Sequence, residues 1–338
     1  MCWSYDYLPL PNNSSRRRPS CWLLGCLVAL ISVNLIALWW LRQPSGLLDT
    51  FRPLNSIPPV RSDVFAGNSS DPALLDVPGQ DERAVVSTLY SESFTSALLT
   101  LGHSLRNAKI AARRILLYLP ERLSSQTLCQ LSEIGWELRP IKRIPPPNGG
   151  KGMHPRFRDQ YSKLRVWSLD EIGIKSAIYL DGDTLVRQNF DELWSLPFEF
   201  AAVPDVYGDS RGFALSFNAG MMLLRTSSSI FSDMLDKIET AEYRRLDAEQ
   251  GFLNSYFASQ VVLLPRIYNA NLVIKQRNPF LWDAIEEDMR IVHYTMMKPF
   301  IPDDRSRAVG IWEEELKHWD MVWQNVSSEL ILANVDCL

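Results

Sequence analysis

The chain has 338 residues, of which 46% are hydrophobic and 22% charged, and its 35 basic and 39 acidic side chains give a formal net charge of -4. This composition excludes a disordered or collagen-like chain. Five cysteines are too few for a disulfide scaffold, and the slight acidic excess is unlike the basic footprint of a protein that binds a nucleic acid polymer. A phosphate-bearing partner therefore has to be held locally, for example through a metal ion.

Residues 21–41 form the first predicted element, an uncharged apolar run. At about 1.5 Å per residue, a helix of this length crosses the hydrocarbon core of a membrane. Three arginines at 16–18 precede the run and only Arg42 follows it closely, so the positive-inside rule places residues 1–20 in the cytoplasm and the rest in a lumen. A cleaved signal peptide is the competing interpretation, but this run is longer than the usual core of roughly 7 to 15 residues.

Residues 42–80 are rich in proline and have no sustained period, which predicts a stem or linker. Glycosylation sequons begin at Asn68 and Asn325, both on the predicted lumenal side. Cys129 and Cys337 are the lumenal cysteines, and the sequence permits a disulfide between them without determining one.

Residues 81–338 are predicted to form the lumenal domain, because strand patterns alternate there with helical patterns. The predicted strands are 84–89, 114–119 and 136–144, and the predicted helices are 94–107, 124–135 and 161–173. This alternation indicates a two-layer α/β domain with a mixed, mostly parallel sheet flanked by helices. In such a sheet, ligands bind beyond the carboxyl ends of the strands.

The strongest local signal is Asp181-Gly182-Asp183, directly after an apolar strand at 176–180. Residues i and i+2 of an extended segment point the same way, so the two carboxylates can hold one hard cation together. Two like charges at a buried strand end are costly unless they are neutralised. Gly182 lets a ligand approach the backbone closely. A plain turn is the competing interpretation.

The same motif opens the haloacid-dehalogenase-type phosphatases, in which the first aspartate, here Asp181, is a nucleophile. In those enzymes the motif lies on the first strand of the domain, whereas about three strands precede it here. A second acid is also missing at 208–210, where such a phosphatase would need a paired acidic metal site. The phosphatase is therefore kept as an alternative.

Three further motifs follow in order at 217–224, 247–254 and 293–300. They resemble the FN(S/A)G strand, the DQGxLN motif and the terminal H(F/Y)…KPW motif of the family 8 glycosyltransferases, the retaining nucleotide-sugar enzymes that include glycogenin. The resemblance runs from about Val85 to Phe300. It implies a GT-A type nucleotide-diphospho-sugar transferase fold.

By that resemblance, Asp181, Asp183 and His293 hold Mn²⁺ or another divalent cation, and the diphosphate of a UDP-sugar completes the shell. Considered by itself, His293 is more often a packed histidine at a strand end. The resemblance also implies that Lys298 and Lys163 contact phosphate, although composition favours solvent for Lys163. The resemblance also implies that two further residues contact the nucleotide-sugar donor, namely Gly182 at the metal motif and Phe94 against the nucleobase. A position of Phe94 in the hydrophobic core is the competing interpretation.

The opposite face of the sugar requires an anionic or amide group, and the resemblance implies Glu249, Gln250 and Asn218. Glu249 replaces the more usual aspartate, so its role as nucleophile or ion stabiliser is open, and a non-catalytic lumenal nucleotide-sugar-binding protein stays an alternative. Asp247 is otherwise the N-cap of an amphipathic helix. Retention allows a covalent sugar-carboxylate intermediate or front-side attack.

The function predicted from these observations is transfer of a hexose or N-acetylhexosamine from a UDP-sugar to a hydroxyl of a glycan, lipid or protein. The expected location is a Golgi-type membrane, with a single N-terminal anchor and the domain in the lumen. A last amphipathic helix is predicted at 312–323, and it either packs on the domain or contacts an acceptor or membrane surface.

Overall fold

The computed structural model of the protein describes residues 21–42 and 77–332. The chain divides into two units between Leu54 and Asn55. The predicted cytoplasmic tail, most of the stem with the Asn68 sequon, and Cys337 lie outside the described residues.

The first unit contains one described helix, α1, at Cys21–Arg42. It coincides with the helix predicted at 21–41. In the described part of the chain, no helix is both long enough and apolar enough to cross a membrane. The membrane anchor stays a prediction.

The second unit contains ten strands within the described residues. They are β1 Arg83–Leu89, β2 Arg113–Tyr118, β3 Glu137–Pro140, β4 Ser176–Leu180, β5 Thr184–Val186, β6 Phe200–Val206, β7 Phe213–Arg225, β8 Val262–Leu263, β9 Ala270–Asn271 and β10 Ile291–His293. The α-helices that accompany them are α2 Thr95–Asn107, α3 Ser125–Glu133, α4 Ser228–Lys237, α5 Ala248–Phe257, α6 Leu272–Arg277, α7 Pro279–Ile285 and α8 Glu313–Leu332.

Seven of the described strands form a sheet in the order β3-β2-β1-β4-β7-β6-β8. The pairs β1-β2, β1-β4, β2-β3 and β6-β8 are parallel, whereas β7 runs antiparallel to both β4 and β6. The sheet is therefore mixed and mostly parallel, as predicted. Its centre places the carboxyl end of β4 next to the middle of β7, where two of the sequence motifs meet.

Both faces of this sheet are covered, which corrects the prediction of a two-layer domain. Val85 of β1 belongs to a core shared with α2 and α8, whereas Ala84 and Val86 belong to a second core under α4 and α5. Successive residues of a strand point to opposite faces. A strand such as β1, which is buried at every position from Ala84 to Leu89, therefore needs a layer on each side.

Local predictions are confirmed with some corrections of boundary and type. Ser124 caps α3 by accepting a hydrogen bond from the Thr127 amide. The third strand ends at Pro140 instead of 144, and the Ile144 amide donates to the Ser162 hydroxyl at 3.0 Å instead of to a neighbouring strand. The predicted helix at 161–173 is a 3₁₀ helix at Gln160–Ile172, and it ends at Gly173 in the left-handed conformation with φ 81°.

Three further strands form a small sheet in the order β5-β10-β9. β10 runs antiparallel to β5, with His293 opposite Thr184, and parallel to β9, with His293 opposite Asn271. This register brings a C-terminal segment of the domain to the turn that follows β4.

Candidate active site

The pairing of β5 with β10 joins the two aspartates to the histidine. The Tyr294 amide donates to the carbonyl of Asp183 at 2.9 Å, and Nε2 of His293 lies 3.3 Å from Oδ1 of Asp183. Asp181, Asp183 and His293 each offer a ligand atom, and these atoms lie within 4.8 Å of one another. The three residues predicted to bind a metal therefore form one cluster.

The carboxylate of Asp181 is fixed through its Oδ1 atom, which contacts two neighbouring side chains. Its Oδ1 accepts a hydrogen bond from the Tyr179 hydroxyl at 2.9 Å and lies 3.0 Å from Nζ of Lys163. Burial raises the pKa of Tyr179, so the hydroxyl stays protonated and donates. The carboxylate is thus oriented from within the protein, with Oδ2 available to a cation.

Gly182 is required by packing. A Cβ on it would lie 2.6 Å from Cδ2 of Leu98 and 3.5 Å from Cδ1 of Phe94. Packing against Leu98 of helix α2 therefore requires a glycine here, and the approach of a ligand to its backbone stays a prediction.

A chain of side-chain hydrogen bonds begins at the amide of Ala219. This amide donates to Oε1 of Gln250 at 3.0 Å, which fixes the other end of the Gln250 amide as the donor. Nε2 of Gln250 then donates to Oδ2 of Asp205 at 2.8 Å, and Nδ2 of Asn218 donates to Oδ1 of Asp205 at 3.0 Å. The predicted pair of Asn218 and Gln250 is therefore joined through a buried carboxylate.

The same chain ends at the histidine of the cluster. Oδ1 of Asn218 accepts from Nδ2 of Asn269 at 2.9 Å, so Oδ1 of Asn269 is left to accept. It lies 3.0 Å from Nδ1 of His293, and that nitrogen must therefore carry the proton. Nε2 of His293, which faces Asp183, then has a free lone pair for a metal ion.

Lys298 lies on the other side of Asp183. Its Nζ forms an ion pair with Oδ2 of Asp183 and donates to the Tyr294 carbonyl at 2.7 Å. Burial favours the protonated form of Asp183, but the positive charge of Lys298 outweighs it and holds the pKa of this carboxyl far below its usual range. Asp183 is thus ionised at neutral pH, and Lys298 lies at the cluster, where its predicted contact with phosphate stays a prediction.

Lys163 is buried, with 1% of its surface exposed, so the solvent-exposed interpretation is wrong. Its Nζ lies 2.9 Å from Oε1 of Glu249, 3.2 Å from the Ala219 carbonyl and 3.0 Å from Oδ1 of Asp181. An ammonium has three protons to donate, and these oxygens match them. Lys163 therefore links the two carboxylates, and its predicted phosphate contact stays a prediction.

Glu249 lies in the first turn of α5, directly after a residue with an unusual backbone conformation. Ala248 has φ 50°, a strained conformation for a residue with a Cβ, and it turns Glu249 inward, where 6% of its surface is exposed. Burial raises the pKa of Glu249, whereas Lys163 opposes that rise. Asp247 occupies the N-cap position but does not cap with its side chain; it pairs with Arg211 at 3.3 Å.

Phe94 lies at the edge of the site and is half-buried. Its ring centroid is 4.8 Å from that of Phe300, the last residue of the terminal motif. Packing in the core thus accounts for one side of the ring, and its predicted contact with a nucleobase stays a prediction.

Three residues of this arrangement were not predicted from the sequence: Tyr179, Asp205 and Asn269. Asp205 carried a usable signal, because a charged residue in the apolar segment 200–206 needs partners if it is buried, and it is 3% exposed. Asn269 carried no such signal, since its contacts with His293 and Asn218 exist only after the second sheet has formed.

Comparison with known families decides between the interpretations of the motifs. Residues 153–300 match the model of glycosyl transferase family 8. The chain carries a glycosyltransferase domain. The matched segment contains every predicted site residue except Phe94.

Curated relatives agree with this assignment. The chain is 27% identical over 272 residues to putative UDP-glucuronate:xylan alpha-glucuronosyltransferase 4 of Arabidopsis thaliana, covering 78% of this chain and 46% of the relative. It is 29% identical over 248 residues to galactinol synthase 2 of the same plant, covering 64% of this chain and 72% of the relative. The chain thus spans less than half the length of the first of these relatives.

Solved structures agree on the fold. The apo form of glycosyltransferase GlyE from Streptococcus pneumoniae TIGR4 superimposes with a TM-score of 0.52 at 20% identity, covering 75% of this chain and 64% of GlyE. The domain therefore has a GT-A-like α/β fold. The phosphatase and the non-catalytic binding protein are not favoured, and Asp181 follows the fourth strand of the described domain instead of the first.

Proposed function

We propose that this protein is a retaining glycosyltransferase that moves a hexose or N-acetylhexosamine from a UDP-sugar to a hydroxyl of a glycan, lipid or protein. One observation carries the proposal: Asp181, Asp183 and His293 converge within 4.8 Å at the end of β4. The domain match at 153–300 supports the reaction class.

The donor set of this cluster fits a divalent cation. Two carboxylates and one imidazole suit a borderline ion such as Mn²⁺, and the hydrogen bond from His293 to Asn269 leaves Nε2 free to bind it. A cation held there would draw charge from the diphosphate of the donor as the sugar leaves. The ligands are Asp181, Asp183 and His293.

Lys298 supplies a second positive charge at the same edge. Its Nζ contacts Asp183 and is 20% exposed as a side chain, so it can reach an incoming diphosphate without leaving the cluster. An ammonium fixed beside a departing phosphate stabilises the negative charge that develops on it. Lys298 is therefore the leaving-group residue of the proposal, and Lys163 acts indirectly by holding Asp181 and Glu249.

The sugar is expected to lie between this cluster and the hydrogen-bonded chain of Gln250, Asp205 and Asn218. Of the two retaining routes, front-side attack is the better supported. The Glu249 carboxylate is 8% exposed as a side chain and is paired with Lys163 at 2.9 Å, which lowers its reactivity as a nucleophile. Gln250 offers an amide, which can orient a sugar hydroxyl.

A screen of nucleotide-sugars, measured by binding and by release of UDP, identifies the sugar of the donor. The name of one relative includes UDP-glucuronate, so we would compare UDP-glucose, UDP-galactose, UDP-N-acetylglucosamine and UDP-glucuronate with GDP-mannose. We expect a uridine-linked sugar to bind and to release UDP slowly in the presence of Mn²⁺. Preference for GDP-mannose would refute the uridine part of the proposal.

Asp183→Asn tests the mechanism. We expect it to reduce Mn²⁺-dependent UDP release by more than about 100-fold, because one ligand loses its charge, while the circular dichroism spectrum stays unchanged. Asp283→Asn, at an exposed position of α7, is the matched control and should retain full activity. Unchanged UDP release in Asp183→Asn would remove the metal from the mechanism.

We also propose that the domain resides in the lumen of the Golgi. Cys129 is disulfide-bonded, which is typical of proteins that fold in an oxidising compartment. The second sequon begins at Asn325, which is exposed on α8. Treatment of the cell-expressed protein with a glycosidase specific for N-glycans should increase its gel mobility, and Asn325→Gln should diminish that shift; a protein without N-glycans would count against the lumenal location.

A further inference from the structure

A surface cavity of about 480 Å³ lies away from the proposed catalytic site. It is lined by residues of α4, α5 and the segments that follow them, namely Asp233, Lys237, Thr240, Ala241, Phe252, Ser255, Tyr256 and Gln260. Its volume is in the range of small-ligand sites, which is roughly 300–1,000 Å³. None of these residues takes part in the proposed reaction.

Helix α5 separates the cavity from the catalytic site. Gln250 and Asn254 face β7, where they bond to the amides of Ala219 and Phe217. Successive residues of an α-helix are rotated by about 100°, so Ser255 lies on the side of the helix that faces away from β7. The cavity is thus a separate place on the molecule.

The wall of the cavity combines an aromatic ring with a fixed carboxylate. The Tyr256 hydroxyl donates to Oδ2 of Asp233 at 2.6 Å, and Nζ of Lys237 donates to the same oxygen at 2.6 Å. Within the described residues, no hydrogen bond to Oδ1 of Asp233 is found. The carboxylate is therefore held in place and keeps one oxygen for a hydroxyl donor.

The other polar groups complete this arrangement. Thr240 offers a hydroxyl, Gln260 is exposed and offers an amide, and the Ser255 hydroxyl already donates to the Glu242 carbonyl at 3.4 Å. Tyr256 is half-buried, since its ring packs against Phe257 with centroids 5.0 Å apart, and such a rigid ring binds without a large loss of conformational entropy. A flat ring, a carboxylate, hydroxyls and an amide are complementary to a pyranose ring, which has apolar C–H faces and an equator of hydroxyls.

Charge decides what kind of saccharide fits. The segment 233–242 carries four acidic residues, Asp233, Asp236, Glu239 and Glu242, and one basic residue, Lys237. This excess of negative charge repels uronates and sugar phosphates. A neutral saccharide is not repelled electrostatically.

From this geometry we propose that the cavity between α4 and α5 is a non-catalytic binding site for a neutral saccharide of one or two pyranose rings. It goes beyond the proposed transfer reaction, because it needs neither donor nor metal. Its occupation anchors a neutral glycan beside the catalytic domain.

Saturation-transfer NMR on the full chain, without nucleotide or metal, tests the site with lactose, cellobiose and xylobiose as neutral probes and glucuronate and glucose 1-phosphate as anionic ones. We expect at least one neutral probe to bind and both anionic probes to give no signal. Ser255→Trp, which fills the cavity from an exposed helix position, should weaken that binding by at least about tenfold.

Ser255→Ala is the matched control and should bind as the wild type does. Gln260→Ala, which only shortens an exposed side chain, should weaken binding and keeps the test decisive if the tryptophan variant unfolds in a thermal scan. Absence of binding by all three neutral probes, or binding that both Ser255→Trp and Gln260→Ala leave unchanged, would overturn the proposal. Donor hydrolysis is measured separately, so this site and the proposed reaction fail independently.

Discussion

A Cβ atom on Gly220 would lie 2.2 Å from Cε1 and 2.8 Å from Nδ1 of His293. The absence of a side chain at 220 is therefore what allows the imidazole to lie over β7 and to face Asp183. The glycine of the FNAG motif and the histidine of the terminal motif are 73 positions apart in sequence, yet the imidazole packs directly against the glycine.

Gly220→Ala should displace His293 from the metal cluster. Because the added methyl group collides with a ring and not with the end of a flexible chain, we expect Mn²⁺ affinity to fall by at least about tenfold, measured by calorimetry. Gly208→Ala is the matched control, since its Cβ would make only an ordinary contact with Met296 at 3.7 Å. Equal Mn²⁺ affinity in the two variants would show that His293 is not a ligand.

Asn269→Ala should weaken metal binding without touching a ligand. His293 loses the acceptor that fixes the proton on Nδ1, and loss of such a partner typically costs about 10–100-fold in metal affinity. Asn269→Asp should recover most of the loss, because a carboxylate still accepts from Nδ1. If Asn269→Ala binds Mn²⁺ as tightly as the wild type, packing alone holds the ring.

Lys163→Met should destabilise the fold. It leaves the buried Glu249 carboxylate without its partner at 2.9 Å, and breaking a buried pair in this way costs about 3–5 kcal/mol of unfolding free energy. The double variant Lys163→Met with Glu249→Leu should recover part of this loss, because both charges are then gone.

Urea denaturation measures this cycle. Lys175→Met serves as the control, since Lys175 pairs with Glu82 at the surface, where an ion pair contributes no more than about 1 kcal/mol. A Lys163→Met variant as stable as this control would mean that Glu249 is neutral in the folded protein.

Acidification should destabilise the contact between α2 and α8. Burial, followed by the charge of Arg106, lowers the pKa of His103 below 6.5, and a hydrogen bond from Arg106 lowers the pKa of Glu329 below 4.5. Both groups bind a proton more tightly in the unfolded chain. Stability is therefore complete above about pH 6.5 and falls below it, first through His103 and then, below about pH 4.5, through Glu329.

Thermal midpoints recorded between pH 8 and pH 5.5 check this sign. The midpoint of the wild type should fall across this range, and that of His103→Gln should fall less, because glutamine does not titrate. Burial also lowers the pKa of His318, so a residual slope of the same sign is expected in the variant. A wild-type midpoint that rises on acidification would contradict the assignment.

The predictions that depend on a single strand or a single turn of the chain are confirmed by the structure. The apolar run at 176–180 forms β4 and delivers Asp181 and Asp183 to its end, since period-2 geometry needs no distant contact. Ser124 caps α3 for the same reason. The 3₁₀ form of Gln160–Ile172 was missed, because a helical apolar pattern does not distinguish the two helix types over a single buried segment.

The sequence by itself determined the strands β1 to β4, the helices α2 and α3 and the types of residue at the site, because these follow from periodicity and from motifs read along the chain. Only the tertiary structure decided which side chains contact each other. Lys163 is buried between Asp181 and Glu249, and Asp205 joins Asn218 to Gln250. Asn269 orients His293. The physical reason is that a hydrogen bond between residues far apart in sequence depends on strand register. That register is set only when β5 and β10 pair and both faces of the large sheet are covered.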